Sequence, residues 1–237
     1  MSSQAKDDGQ FMNQNERVLG LFAKWPSPGL VKSRLAADTN PEWAADVAMA
    51  FLQDIIDRCC QLVVRRILVF SPDNSEKAFR KMLDGKFELM PQLGGDLGTR
   101  LSTFVAHWFE KKVSSVVLIG MDSPTLPLAF LEQAFDALEE SEVVLGPATD
   151  GGYYLIGFNK FIPKLFEGIA WSTENVLLET VNKVRDLNLK LTMLPPWYDV
   201  DTLVDWKMLK GHLAGMRHSG KTLESPRTDK LVQDGQF

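Results

Sequence analysis

Apolar residues along this chain fall into short runs separated by longer stretches with helical spacing. The runs Val18–Ala23, Arg66–Phe70, Val116–Gly120, Val143–Gly146, Tyr153–Phe158 and Leu189–Leu194 are bounded by Gly, Pro, Ser or Asp and predict strands. Several are apolar on successive residues, as in VVLIG and EVVLG, which suits strands covered on both faces. Between them, Ala44, Val47, Ala48, Phe51, Leu52, Ile55 and Cys59 form a helical stripe, with Asn40 placed as N-cap and Pro41 at the first position. Leu97–Lys111, Leu128–Glu140, Thr173–Leu187 and Thr202–Ala214 read as further helices. Strands alternating with helices predict an α/β fold: an open, mostly parallel twisted sheet with helices on both faces. Residues 1–16 read as a disordered lead-in, 17–215 as one domain and 216–237 as a polar, disordered tail.

Composition narrows the function classes. A formal charge of −5 argues against a nucleic-acid binder, whose partner demands a basic surface. No apolar run reaches the roughly 20 residues of a membrane helix, and the polar start lacks the apolar stretch of a signal peptide. The two cysteines, Cys59 and Cys60, are adjacent in a helical pattern and read as structural thiols. A cytoplasmic protein is expected.

In open α/β sheets ligands gather beyond the carboxyl ends of the strands, and four motifs lie there. After the first strand comes Ala23–Leu35, AKWPSPGLVKSRL, where Pro28-Gly29 fits the centre of a type II turn. Lys24, Lys32 and Arg34 make this segment a candidate polyphosphate cradle, although a solvated basic turn has the same composition. It is neither a G-x-G-x-x-G loop nor a Walker loop, because Val31 replaces the required glycine. Next, Asp122 in GMDSPTLP emerges at the mouth of a buried strand, suitably placed to hold a divalent metal against phosphates or simply to open a turn. In GPATDGGYY, Asp150, Gly151, Gly152 and Tyr153 suit close approach of a ligand to backbone, or a plain hairpin. In YDVDT, Asp201 is either a second metal carboxylate or a helix cap, and Asp199 is the alternative second metal carboxylate. Arg100 in GGDLGTR adds a cation and Trp171 an aromatic wall for an acceptor, while both segments also resemble helix starts.

Together LFAKWPSPGLVKSRLA, GGDLGTR, LIGMDSPTLP, LGPATDGGYYLIG, the Trp171-Ser172-Thr173 element and YDVDT occur in one order over about residues 18 to 210. In this the chain resembles the GT-A-fold, glycosyltransferase-like family known as radical-SAM/selenodomain-associated transferases, within the nucleotide-diphospho-sugar transferase superfamily. The resemblance implies that Lys32-Ser33-Arg34-Leu35 corresponds to the triphosphate signature of nucleotidylyltransferases, and that Asp122 and Asp201 are metal aspartates. It implies a transferase using a nucleotide or nucleotide-sugar donor and a small-molecule acceptor, with Mg²⁺ or Mn²⁺. On that reading Lys24, Pro28, Gly29, Lys32, Arg34 and Arg100 bind the nucleotide and its phosphates. Gly151, Gly152, Tyr153 and Trp171 face the acceptor, and Asp150 and Lys32 serve catalysis, Asp150 as general base. Transfer of a nucleotidyl group from an NTP to a phosphorylated acceptor is the alternative chemistry, and nucleotide binding without turnover a third possibility.

Overall fold

The computed structural model describes residues 16–235 and 237. In chain order its elements are β1 (Arg17–Lys24), α1 (Ser33–Asp38), α2 (Pro41–Cys59), β2 (Arg65–Ser71), α3 (Glu76–Leu83), β3 (Glu88–Pro91), α4 (Leu97–Glu110) and β4 (Ser115–Ile119). There follow α5 (Leu128–Ala137), β5 (Val143–Pro147), β6 (Tyr153–Phe158), α6 (Val176–Asp186), β7 (Leu191–Met193), α7 (Leu203–His218) and α8 (Pro226–Gln233). One seven-stranded sheet runs in the order β3-β2-β1-β4-β6-β5-β7. Four of its ladders are parallel, and β6 runs antiparallel to both neighbours, β4 and β5.

The pleat of β1 explains the layering, since successive side chains leave a strand on opposite faces. Leu19, Leu21 and Ala23 join Leu52 and Ile55 of α2, Phe79 of α3 and Leu131 and Phe135 of α5 in one core. Val18 faces the other way, into a second core with Phe104 and Trp108 of α4 and Val184 of α6. Each fully buried Leu or Phe contributes roughly 1.5–3 kcal/mol, so both faces hold the sheet. The long helix α2 starts where the sequence indicates: Asn40 Oδ1 accepts from Trp43 N at 2.8 Å, and Pro41 opens the first turn.

A third core is built outside the sheet by Leu35, Trp43, Val47, Phe51, Val200, Trp206 and Leu209, together with Val232 of α8. The expected disordered tail is therefore corrected. The helix α7 extends to His218, and residues 226–233 form a helix against α2. Asp54 of α2, 1% exposed, accepts from Thr228 N at 2.8 Å and from Arg227 N at 3.2 Å, capping the start of α8. The lead-in lies outside the described residues, except for Glu16.

Candidate active site

The strand order reverses direction at β1: β2 and β3 lie on one side of it, β4 and the rest on the other. The loops that leave the carboxyl ends of β1 and β4 therefore meet at the topological switch point. The first, residues 25–32, turns at Ser27–Leu30. Leu30 N donates to Ser27 O at 3.0 Å, and Gly29 has φ 76°, as the third position of a type II turn requires. Pro28 and Gly29 form the exposed apex; Leu30, Val31 and Lys32 return to line the cleft. The second loop, after β4, carries Asp122. A third segment after β7 joins them, because Val200 N donates to Asp122 O at 2.9 Å.

Lys32 is the centre of this junction. Its side chain is 3% exposed, and its ammonium donates to Asp122 Oδ1, to Val200 O at 2.8 Å and to Asp201 Oδ1 at 2.9 Å. It also lies 5.3 Å from the centre of the Phe51 ring. An ammonium has three protons, so all its donor capacity is spent. Burial works against its charge, but Asp122 and Asp201 more than offset this and hold its pKa above the ordinary lysine value. Both oxygens of Asp201 are engaged, since Arg34 Nη2 reaches its Oδ2 at 2.7 Å. Burial works against its charge too, yet Lys32 and then Arg34 hold its carboxyl below the usual range. The expected free phosphate-binding lysine is thus, in this structure, an ion-paired one.

Two clefts open around the junction. One, about 330 Å³, lies above β1 and includes Lys24, Lys32, Gln92, Arg100, Asp122 and Asp201. Arg100 is steadied there by Gly95 O at 3.0 Å and Gln92 Oε1 at 3.3 Å. The other, about 530 Å³, is lined by Arg34, Asp150, Gly152, Tyr153, Trp171, Ser172, Thr173, Glu174 and Asp199. Leu97, at the start of α4, borders both. The indole of Trp171 packs on Gly98, where a β-carbon would collide with it.

One expected role changes and a second gains a structural part. Gly151 (φ 90°) does not offer its backbone to a ligand: the chain's own Glu174 carbonyl sits where its β-carbon would be, and Gly151 O accepts from Leu177 N at 2.9 Å. Asp150 Oδ1 accepts from Gly152 N at 2.9 Å, so it also shapes the turn between β5 and β6. Asp205 completes a capping box with Thr202, which leaves Asp201 free of the cap. Asp199, the sequence's alternative to Asp201 as second metal carboxylate, lines the second cleft instead. It accepts from the Ser123 hydroxyl, and burial, reinforced by nearby Asp122, Asp150 and Asp201, pushes its carboxyl up to about 7. The signal was the alternation in Tyr-Asp-Val-Asp. Val200 is fully buried, while its two neighbours line the clefts, Asp199 the second and Asp201 the first.

Asp122 and Asp201 converge on a single cation, which tests their fitness for a metal. They supply hard oxygen donors, and Mg²⁺ at phosphoryl sites is held by one or two carboxylates plus substrate oxygens. Among the described residues no group of three or more His, Cys, Asp or Glu side chains converges as a complete cage. A two-carboxylate site that borrows phosphate oxygens fits this donor set; a self-sufficient structural metal does not.

A family model described as "uncharacterized protein conserved in bacteria (DUF2064)" matches residues 56–173. No curated protein matches the sequence. Among solved structures, a Desulfovibrio desulfuricans G20 protein assigned as a nucleotide-diphospho-sugar transferase is 31% identical with a TM-score of 0.83, covering 93% of this chain and 98% of that one. A cytidylyltransferase from Leptospira borgpetersenii is 13% identical with a TM-score of 0.58, over 92% and 93% of the two chains. The 4-diphosphocytidyl-2C-methyl-D-erythritol synthase of Anaerococcus prevotii is 11% identical with a TM-score of 0.55, over 85% and 100%. These last two likenesses concern the fold. With its sheet, its switch-point cleft and a relative at this level of identity over nearly its whole length, the chain belongs to the nucleotide-diphospho-sugar transferase family and is a nucleotide-using transferase.

Proposed function

We propose that the protein transfers a glycosyl group from a nucleotide sugar to a hydroxyl-bearing acceptor. The observation that carries this reading is the difference in charge between the two clefts. The cleft above β1 sets Lys24, Lys32 and Arg100 against two carboxylates, and suits a diphosphate. The neighbouring cleft sets Asp150, Glu174 and Asp199 against one cation, Arg34, already paired with Asp201. Carboxylates beside Trp171 suit the hydroxyls of a polyol, whereas a phosphorylated acceptor would meet repulsion from Asp150 and Glu174 there.

Lys24 and Arg100 bind the donor's phosphates, and the sugar extends past Leu97 into the acidic cleft. Asp122 and Asp201 would hold Mg²⁺ or Mn²⁺, which would neutralise charge growing on the departing nucleoside diphosphate. The proton of the acceptor hydroxyl passes to a carboxylate of the second cleft, Asp150 or its neighbour Asp199. Positioning and electrostatics carry the rest. Nucleotidylyl transfer is the second reading, favoured by the three cations of the donor cleft, since a triphosphate carries more charge to neutralise than a diphosphate.

A thermal-melt screen of nucleotide sugars and NTPs, with and without Mn²⁺, separates them. Ligand at about 100 times its Kd stabilises by about 2.7 kcal/mol, a shift of several degrees. We expect metal-dependent stabilisation by at least one nucleotide sugar. Stabilisation by NTPs alone would transfer support to the second reading, and no metal-dependent shift by any nucleotide would remove both.

A further inference from the structure

We propose that Lys32 is the resting counter-cation of the metal site: its ammonium and a divalent ion compete for Asp122 and Asp201, and donor phosphates relieve the competition by taking the ammonium. The inference rests on the metal assignment above and extends it to the order of binding.

Three features point to it. The ammonium stands where two carboxylates from different loops converge, the position a bridging cation would take. Its three protons and both oxygens of Asp201 are already engaged, by Asp122, Val200 O and Asp201 on one side and by Lys32 and Arg34 on the other. A metal entering here meets an ammonium already seated between the two carboxylates, and two cations a few ångströms apart repel. Only Asp122, with 43% of its side chain exposed, offers an easy approach. Lys32 meanwhile lines the same cleft as Lys24 and Arg100, so phosphates bound there compete for its ammonium. Moving it from carboxylate to phosphate keeps it paired and frees oxygens of Asp122 and Asp201 for the metal. Metal and donor then bind with positive coupling, which linkage makes reciprocal.

The test measures free Mn²⁺ by electron paramagnetic resonance in titrations of the nucleotide-free protein. Wild type is expected to bind Mn²⁺ weakly, and Lys32→Met and Lys32→Gln to bind it on the order of tenfold more tightly, within the usual range of site coupling. Glutamine retains hydrogen bonds to the carboxylates without the charge, which guards against collapse of the junction; thermal melts report whether each variant is folded. Wild type supplies a second readout. Saturating Mn²⁺ without nucleotide is expected to raise acylation of Lys32 several-fold, read by peptide mass spectrometry, because the ammonium leaves its buried seat. Mn²⁺ affinity in both variants no higher than wild type, or Lys32 labelling unchanged at saturation, overturns the proposal. Nucleotide-sugar binding in the melt screen alongside that result would leave the proposed function standing; its absence would remove the function separately.

Discussion

At the scale of single residues, Asp199 sets the clearest pH signature. Its folded pKa of about 7 lies above the ordinary aspartate value of 3.8, so between those values the folded protein holds a proton that the unfolded chain has lost. Stability therefore falls as pH rises from about 4 to about 7 and levels off above. At roughly 1.4 kcal/mol for each pKa unit the whole effect is at most on the order of 4 kcal/mol. In metal-free protein, Asp199→Asn is expected to flatten this slope between pH 5 and 8 in chemical denaturation. An unchanged slope would place the buried proton elsewhere. The sequence displayed Asp199 and Asp201 on either side of Val200, and burying Val200 leaves both to the clefts. It did not display their different fates. One meets Ser123 and the other Lys32 and Arg34, and those partners lie 76, 169 and 167 residues away.

At the scale of elements, the C-terminal segment acts on the loop that bears Asp122. Ser225 Oγ donates to Pro124 O at 2.6 Å, and Arg58 of α2 donates to Leu126 O at 3.0 Å, Glu224 O at 2.8 Å and Ser225 Oγ at 2.7 Å. Arg58 is 3% exposed, so these carbonyls and hydroxyls offset the cost of burying its charge. Ser225→Ala removes one bond to that guanidinium and leaves Pro124 O without its donor. A loss of roughly 1–3 kcal/mol is expected in denaturant unfolding, with Ser225→Thr recovering part of it. A loss within ±0.5 kcal/mol would mean that water replaces the hydroxyl. The helix α8 escaped a reading by periodicity because it is short and shows few apolar residues, although Ser225-Pro226 marks its start. The edge strand β3 escaped for a similar reason: four residues, ending in proline and half exposed. The longer strands and α2 were legible because they are apolar on successive residues or at helical spacing, and their ends carry caps and turns.

At the scale of the whole molecule, one sheet with a reversal at β1 brings four distant segments to a single edge. Because motifs after strands sit at that edge in any such sheet, Lys32, Asp122 and Asp201 were predictable as neighbours from their order alone. The contrast between a basic and an acidic cleft was not, since it depends on how Arg34, Asp150, Glu174 and Asp199 turn around α4 and Trp171. That contrast is also what assigns donor and acceptor to separate sides. The same layout predicts that Asp150→Asn lowers turnover at least tenfold while leaving the Mn²⁺-dependent thermal shift by the donor unchanged, since the residue lies in the second cleft. Loss of that shift would place the donor across both clefts.

In the proposed function, a metal held by Asp122 and Asp201 anchors a nucleotide-sugar donor across the two clefts. Crystals grown with Mn²⁺ and a stabilising nucleotide sugar test it directly through anomalous diffraction. One Mn²⁺ peak within coordination distance of both carboxylates is expected, with phosphates beside Lys24 and Arg100 and the sugar toward Trp171 and Asp150. A peak away from Asp122 and Asp201, or a donor seated outside both clefts, would contradict it.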